Sequence, residues 1–324
     1  MAAVISVIMP FHNSETTLGA AIESLISQNV SDRCEFIFVN DGSNDHSVEV
    51  LDYYFVLNPD FEKRSILLNC PFRQGAAAAM ALGLRNASGT YIARIDADDE
   101  YLSGALYELL STAESSGADV VAGGIVKKSP GRRDRLLTIK DFAGDLNSMP
   151  MTVAYFSLGN KLIRRELIVN NDLYPVKGID CWEDVSMTAR AYALSRKTVL
   201  TDKPVYRYYS DPAKPSLSKS HRDLVLRQRL MCALLLEKWF TGRHLDVKYS
   251  LFLLNMKFHA KIKLLRGKDC DVVKWRETYP EVNSAIMTLK QNSMQVRLAF
   301  WLVDILPSGI AEFFCRVVSR IVGG

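Results

Sequence analysis

The chain has 324 residues, 48% of them hydrophobic, and a formal net charge of +4. That is enough apolar chain for the core of one large domain with a C-terminal extension, and it excludes a largely disordered polypeptide. Six cysteines, at 34, 70, 181, 232, 270 and 315, form no CxxC pair and no His/Cys cluster at zinc-ligand spacing, so they read as reduced, mostly buried thiols of a cytosolic protein.

The N-terminus runs directly into an apolar strand with neither the basic start nor the long apolar run of a signal peptide, so the expected location is cytoplasmic. Strands are expected at residues 4–10, 35–39, 65–69, 91–95 and 119–122. Between the first two, Leu18, Ala21, Ile22, Leu25 and Ile26 fall at helical spacing, with Ser14 as N-cap and Glu15 in the first turn. Further helices are expected at 51–57, 75–87 and 103–115, and Gly89-Thr90 and Ser116-Gly117 stop elements. Residues 127–149 are polar and irregular, with Ser129-Pro130-Gly131 followed by Arg132, Arg133 and Arg135, and read as an exposed loop. Beyond it, residues 182–195 predict a helix, 198–209 a strand, and 221–266 two helices.

Alternating strands and helices predict an α/β fold with a mostly parallel central sheet flanked by helices, followed by a helical C-terminal region. The expected domains are 1–210 and 211–324. Charge divides similarly: residues 1–202 carry 19 basic against 26 acidic side chains, and residues 203–324 carry 21 against 10. A basic C-terminal third suits anionic lipid, a phosphate-bearing acceptor or nucleic acid. The apolar runs 296–306 and 309–322 are shorter than the roughly 20 residues a spanning helix needs, and Arg297, Asp304, Arg316 and Arg320 interrupt them. They fit an in-plane amphipathic anchor or, equally, an oligomer contact or helices packed on a core.

Chemistry concentrates where strands end. After the apolar run 91–95 come Asp96, Asp98, Asp99 and Glu100, four acidic residues within five positions. Their repulsion is relieved by a hard divalent cation, Mg²⁺ or Mn²⁺, which Asp96 and Asp98 reach from the same side of an extended chain. The alternative is a solvated acidic turn capping the next helix through Asp99 or Ser103. At the end of the second strand, Asn40-Asp41-Gly42-Ser43 is either an ordinary turn or a site where Asp41 accepts from a base or ribose while Gly42 turns the backbone. Pro10-Phe11-His12-Asn13 ends the first strand, either shaping a nucleotide pocket or leading into a helix. All three segments fall at the carboxyl ends of strands, the edge where open α/β sheets bind ligands.

In that order and at those intervals, Pro10, Asn13 and Glu15, then Asp41-Gly42-Ser43, then Asp96-Ala97-Asp98 resemble the family 2 inverting glycosyltransferases of the GT-A fold, a Rossmann-like fold, in their bacterial polysaccharide and cell-envelope form. The resemblance covers about residues 4–210. It implies that Pro10, His12, Glu15 and Asp41 line a nucleoside pocket, with Arg73 near the base. It also implies that Asp96 faces the ribose or sugar, and that Asp98, with Asp96, holds the metal on the diphosphate of a nucleotide-sugar donor, most commonly a UDP-sugar. Asn40 departs from a frequent Asp, and His12 from a frequent Tyr.

Trp182-Glu183-Asp184-Val185 resembles the family's Glu-Asp motif, which implies that Asp184 is the general base and that Glu183 orients it or the acceptor; the aromatic Trp182 beside them is placed to stack on a sugar face. The alternative is an acidic pair capping a helix. Tyr206-Arg207-Tyr208-Tyr209, with Ser216 and Ser218, resembles a segment that closes over the diphosphate, where Arg207 or a nearby Lys neutralises the leaving group; His221 is either a further phosphate or metal contact or, as a lone His more often is, structural.

The expected function is therefore metal-dependent, inverting transfer of a sugar to a hydroxyl of a glycan or lipid-linked acceptor, at the inner face of the cell membrane through a peripheral C-terminal contact, from a monomer or homo-oligomer. A catalytically inactive nucleotide-binding scaffold is the alternative of another class. A sugar-phosphate nucleotidyltransferase would want a Gly-rich, Arg/Lys-bearing loop after the first strand, where Pro10-Phe11-His12-Asn13 stands. A dehydrogenase or P-loop enzyme would need a glycine fingerprint that is lacking, and no nucleic acid partner is expected, because the acidic cleft would repel phosphate unless metal were bound.

Overall fold

Residues 5–11, apolar at nearly every position, form a strand buried along almost its whole length, as a strand inside a parallel sheet must be. The computed structural model describes residues 3–139, 145–211, 222–265 and 270–322. In chain order its elements are β1 (Ile5–Phe11), α1 (Leu18–Ile26), β2 (Cys34–Asn40), α2 (Ser47–Leu57), α3 (Pro59–Glu62), β3 (Ser65–Asn69), α4 (Ala76–Asn86), β4 (Tyr91–Arg94), β5 (Glu100–Tyr101) and α5 (Ala105–Ser116). There follow β6 (Val120–Lys128), β7 (Arg135–Leu137), α6 (Val153–Phe156), β8 (Lys161–Arg164), α7 (Arg165–Asn170), α8 (Glu183–Leu194) and β9 (Thr198–Tyr209). The last are α9 (Arg222–Thr241), α10 (Ser250–Lys261), α11 (Val272–Glu277), α12 (Pro280–Ala285), α13 (Met294–Ile305) and α14 (Ser308–Val322). Two units result, one of residues 3–139 and 156–211, the other of 145–155, 222–265 and 270–322.

The first unit holds a sheet in the order β3-β2-β1-β4-β8-β6-β9-β5, with β7 paired to β6. β3, β2, β1 and β4 run parallel, β8 runs against β4 and β6, and β9 is again parallel to β6. The motif-bearing ends of β1, β2 and β4 are thus neighbours on one edge. α1 buries Leu18, Ala21, Ile22 and Leu25, the stripe expected from the sequence.

Several boundaries differ from expectation for local reasons. α1 begins at Leu18, so Ser14 is not its N-cap; the Ser14 carbonyl instead accepts from the Thr17 and Leu18 N–H groups in a preceding turn. Glu15 accordingly lies outside the first helical turn. α2 starts four residues early because Asp45 accepts from both the N–H and hydroxyl of Ser47. α5 starts after Gly104, in the left-handed region, so neither Asp99 nor Ser103 caps it. Within 127–149, Arg135–Leu137 pairs with Ile125–Lys127 as a hairpin, a strand too short to leave a period in the sequence.

The second unit is helical around Phe258, Trp275, Val282, Phe300 and Val303. Lys261 Nζ donates to the carbonyls of Trp275, Thr278 and Tyr279 and to Asn283, and lies 4.1 Å from the Trp275 ring centroid. α13 and α14 bury Phe300, Val303, Ala311 and Cys315 in this core, as the packed-helix alternative requires. A second face leaves Met294, Leu298, Trp301, Ile305, Ile310 and Phe313 exposed. Among the described residues, no helix is long and apolar enough to cross a membrane.

Candidate active site

Two loops at the carboxyl ends of β1 and β2 are laced together by their own polar residues. Asn13, held at a φ of 50°, accepts at Oδ1 from the Asn44 N–H, while its own N–H donates to the Ser43 hydroxyl. Ser14 N donates to the Ser47 hydroxyl and Glu15 N to the Asp45 carboxylate; in return the Glu15 carboxylate accepts from His46 N at 3.0 Å. His12 Nδ1 donates to the Asp41 carbonyl at 2.8 Å. Pro10 is half-buried in β1, opposite Val39. Asn40 bridges Asn69 and the Ser43 N–H through its amide, a contact in which both its donor and its acceptor are used.

Asp41 is buried, and its two oxygens accept from the N–H groups of Gln74 and Gly75 at 2.6 and 2.9 Å. The loop bearing exposed Arg73 therefore folds over Gly42. A Cβ on Gly42 would lie 2.6 Å from the Arg73 backbone nitrogen, and φ there is +64°, so only glycine fits. Pro10, His12, Glu15, Asp41 and Arg73 thus lie in or beside linked loops at one edge of the sheet, with Glu15 and Asp41 each hydrogen-bonded to backbone.

The second group lies beyond β4. Asp98 is exposed, Asp96 half-buried and Asp99 buried. Asp99 accepts from Tyr209 N at 2.9 Å, and burial together with the Asp96 and Asp98 charges pushes its carboxyl well above the usual range. Asp96 N donates to the Tyr206 hydroxyl, fixing the acidic turn against β9. Arg94, itself buried, donates from Nε to Asp96 Oδ1 at 2.8 Å and from Nη1 to Glu183 Oε1 at 2.9 Å.

Glu183 is 7% exposed, whereas its neighbour Asp184 is half-buried and accepts from the Val185 N–H. Burial raises both carboxyls; the Arg94 charge opposes the rise. Both stand in the first turn of α8, so the capping alternative and the chemical one share the same residues. Trp182, just before them, is held at a φ of 77°, a left-handed conformation costing a bulky residue about 1–3 kcal/mol. Beneath, Lys161 is fully buried with Nζ donating to the Ser157 carbonyl and Asn160 Oδ1; burial brings its ammonium down to about 7.

Arg207 pairs with Glu100 at 2.6 Å across the β5–β9 ladder, and Tyr209 donates to the same carboxylate. Ser216, Ser218 and His221 lie outside the described residues. Sequence reasoning passed over Arg94, Lys161 and Asp180, and gave Tyr206 no role apart from its segment. A signal did exist for Arg94, a charge inside an apolar strand that demands a buried partner. Asp180 accepts from the Ala77 N–H at 3.0 Å, tying the approach to α8 onto the start of α4.

The model of the family described as glycosyl transferase family 2 matches residues 6–170. The protein named "Uncharacterized glycosyltransferase EpsJ" of Bacillus subtilis is 30% identical over 65% of this chain and 62% of its own. "Uncharacterized glycosyltransferase YibD" of Escherichia coli is 29% identical over 68% of this chain and 64% of its own. The match therefore spans less than two thirds of the length of both relatives. The crystal structure of S. aureus TarS 1–349 in complex with UDP-GlcNAc superposes with a TM-score of 0.67 at 18% identity, covering 99% of this chain and 91% of that one. That likeness covers both the mixed, mostly parallel sheet and the helical C-terminal region, the GT-A architecture expected from the motifs.

Proposed function

We propose that this chain, which belongs to glycosyl transferase family 2, transfers a sugar with inversion from a nucleotide-diphosphate sugar, a UDP-sugar by preference, to a hydroxyl of a glycan or lipid-linked acceptor. The observation that carries the proposal is the meeting of the acidic turn after β4 with the Glu183–Asp184 pair at the ligand-binding edge of the sheet. The TarS structure with UDP-GlcNAc supports the choice of nucleotide.

In this reading Pro10, His12, Glu15, Asp41 and Arg73 frame the nucleoside, and Trp182 offers an aromatic face to a sugar. Glu183 is buried on Arg94, which leaves Asp184 as the carboxylate that takes the acceptor proton. The acceptor oxygen then bonds to the anomeric carbon, and the sugar–phosphate bond breaks with its electron pair leaving on the nucleoside diphosphate. Arg207 stands nearby on β9 as a cation for the leaving group.

The donor set suits a divalent cation: Asp98 is exposed and Asp96 keeps one oxygen outside its Arg94 contact. Hard cations of the Mg²⁺ type take one or two carboxylates plus phosphate oxygens, a number that these two side chains supply. Asp98 and Asp96 would hold Mn²⁺ or Mg²⁺, which would supply positive charge against the leaving group. The exposed apolar face of α13 and α14 supports a peripheral contact with the membrane, the phase in which lipid-linked acceptors reside.

The test is turnover of UDP-, GDP- and dTDP-sugars with undecaprenyl-linked and free glycan acceptors, with and without Mn²⁺. Nucleoside diphosphate release coupled to a glycosylated product supports transfer. Tight nucleotide binding with no product from any pair would favour the inactive scaffold.

A further inference from the structure

We infer that Arg94 is a positioning residue, a single buried guanidinium that holds the donor-side carboxylate of Asp96 and the base-side helix start at Glu183 in one fixed relation. The inference rests on the proposed transfer reaction. Its basis is geometric. Asp96 and Glu183 come from segments far apart in the chain, and each accepts from a different edge of the same planar group, at 2.8 and 2.9 Å. Arg94 also contacts Asp96 through Nη2 at 2.7 Å, so the acidic turn is gripped by two nitrogens and α8 by a third.

The guanidinium cannot drift. Its side chain is 10% exposed, and its backbone carbonyl accepts from the buried Tyr101 hydroxyl at 2.8 Å. Tyr206, packed against Tyr101, accepts from the Asp96 N–H, closing the frame from the β9 side. A planar fork with fixed donor directions suits two carboxylates at once; an ammonium on a flexible stem cannot reproduce both contacts. The consequence is a division of labour. Glu183 is spent on the clamp, and Asp184, one residue on, is set by the clamp where an acceptor can reach it.

The test uses the full chain and the variants Arg94→Lys, Arg94→Met, Glu183→Gln and the double variant Arg94→Met/Glu183→Gln. Readouts are kcat, donor KM, UDP binding by calorimetry in Mn²⁺, and the pH profile of kcat/KM. The groups around Asp184 that shape that profile are Arg94, Asp96, Glu183, Lys161 and Tyr208. Expected is a loss in kcat of about 10–100-fold in Arg94→Lys with the fold retained. The acid limb should move to higher pH, further in Arg94→Met than in Arg94→Lys. The double variant should lose much less than the product of the two single losses. Independent, multiplicative losses with an unmoved pH limb would mean a structural role only and overturn the inference, as would unaltered kinetics in Arg94→Lys. A wild-type chain that binds UDP but turns over no donor would fell the transfer reading and this inference with it. Wild-type turnover with an indifferent Arg94→Lys fells the inference alone.

Discussion

The Asp180 carboxylate occupies the space where a side chain on Gly75 would be: a Cβ there would lie 2.4 Å from Asp180 Oδ1, and Gly75 adopts a φ of +101°. From that position Asp180 accepts from the Ala77 N–H, satisfying one of the unpaired donors at the start of α4. Gly75→Ala should therefore cost about 1–3 kcal/mol in backbone strain alone, and Asp180→Ala about 0.5–2 kcal/mol as a lost cap. Thermal melts should register each as a fall of about 2–4 °C per kcal/mol. A Gly75→Ala variant melting with the wild type would refute the packing argument.

Asp184→Asn should lower kcat by about 10²–10⁴-fold with nucleotide affinity kept, because only the proton acceptor is removed. Asp98→Asn should weaken Mn²⁺-dependent UDP binding instead. Calorimetry on the two variants separates these outcomes, and full turnover by either would withdraw its assigned role.

The acid side of the pH profile follows from Asp184. Burial raises its carboxyl above the usual range, Asp96 adds to the rise, and the Arg94 charge and Val185 N–H oppose it. The base must be ionised to act, so kcat/KM should fall as pH drops through a value higher than that of an ordinary aspartate. A profile flat down to the ordinary carboxylate range would contradict this.

Lys161 predicts a dependence of the same sign in stability. Burial lowers its ammonium from 10.5 to about 7, so above that value the folded chain releases a proton that the unfolded chain keeps. With more protons bound in the unfolded state, stability attributable to this group rises with pH. Between about pH 7 and 9 the wild type should gain stability relative to Lys161→Met, a comparison in which the thiols of the unfolded chain, ionising near about 8.5, cancel. Denaturant titrations at several pH values measure the difference, and parallel curves would show that Lys161 stays charged.

The apolar face of α13 and α14 gives a binding prediction. Trp301→Asp and Phe313→Asp should reduce co-sedimentation with anionic vesicles while leaving turnover of a soluble acceptor intact, since both side chains are exposed in the helical unit. Equal sedimentation of wild type and variants would remove the membrane contact.

The parallel half of the sheet was legible because strands buried on both faces read as apolar runs, and their carboxyl ends carry the motifs. Ser65–Asn69 matches its expected strand residue for residue. What stayed hidden depends on tertiary pairing. Nothing local announces that Arg94 meets Glu183, 89 residues on, or that Asp180 caps α4. The hairpin strand Arg135–Leu137 leaves no period, and the α1 start shifted because Ser14 and Glu15 spend their polar groups on the loop after β2 rather than on their own helix.

The strand order has a consequence for synthesis. β6 emerges from the ribosome well before β8 and β9; among the described residues β7 and β8 pair with one edge of it, and β9 pairs with the other. The half-built sheet must therefore keep one edge of an apolar strand open for about eighty further residues, until β9 is complete, some four to sixteen seconds at ordinary elongation rates. Holdase chaperones have their most obvious substrate in that interval, and codon changes that slow translation between residues 129 and 209 should lower the soluble yield without altering the finished enzyme.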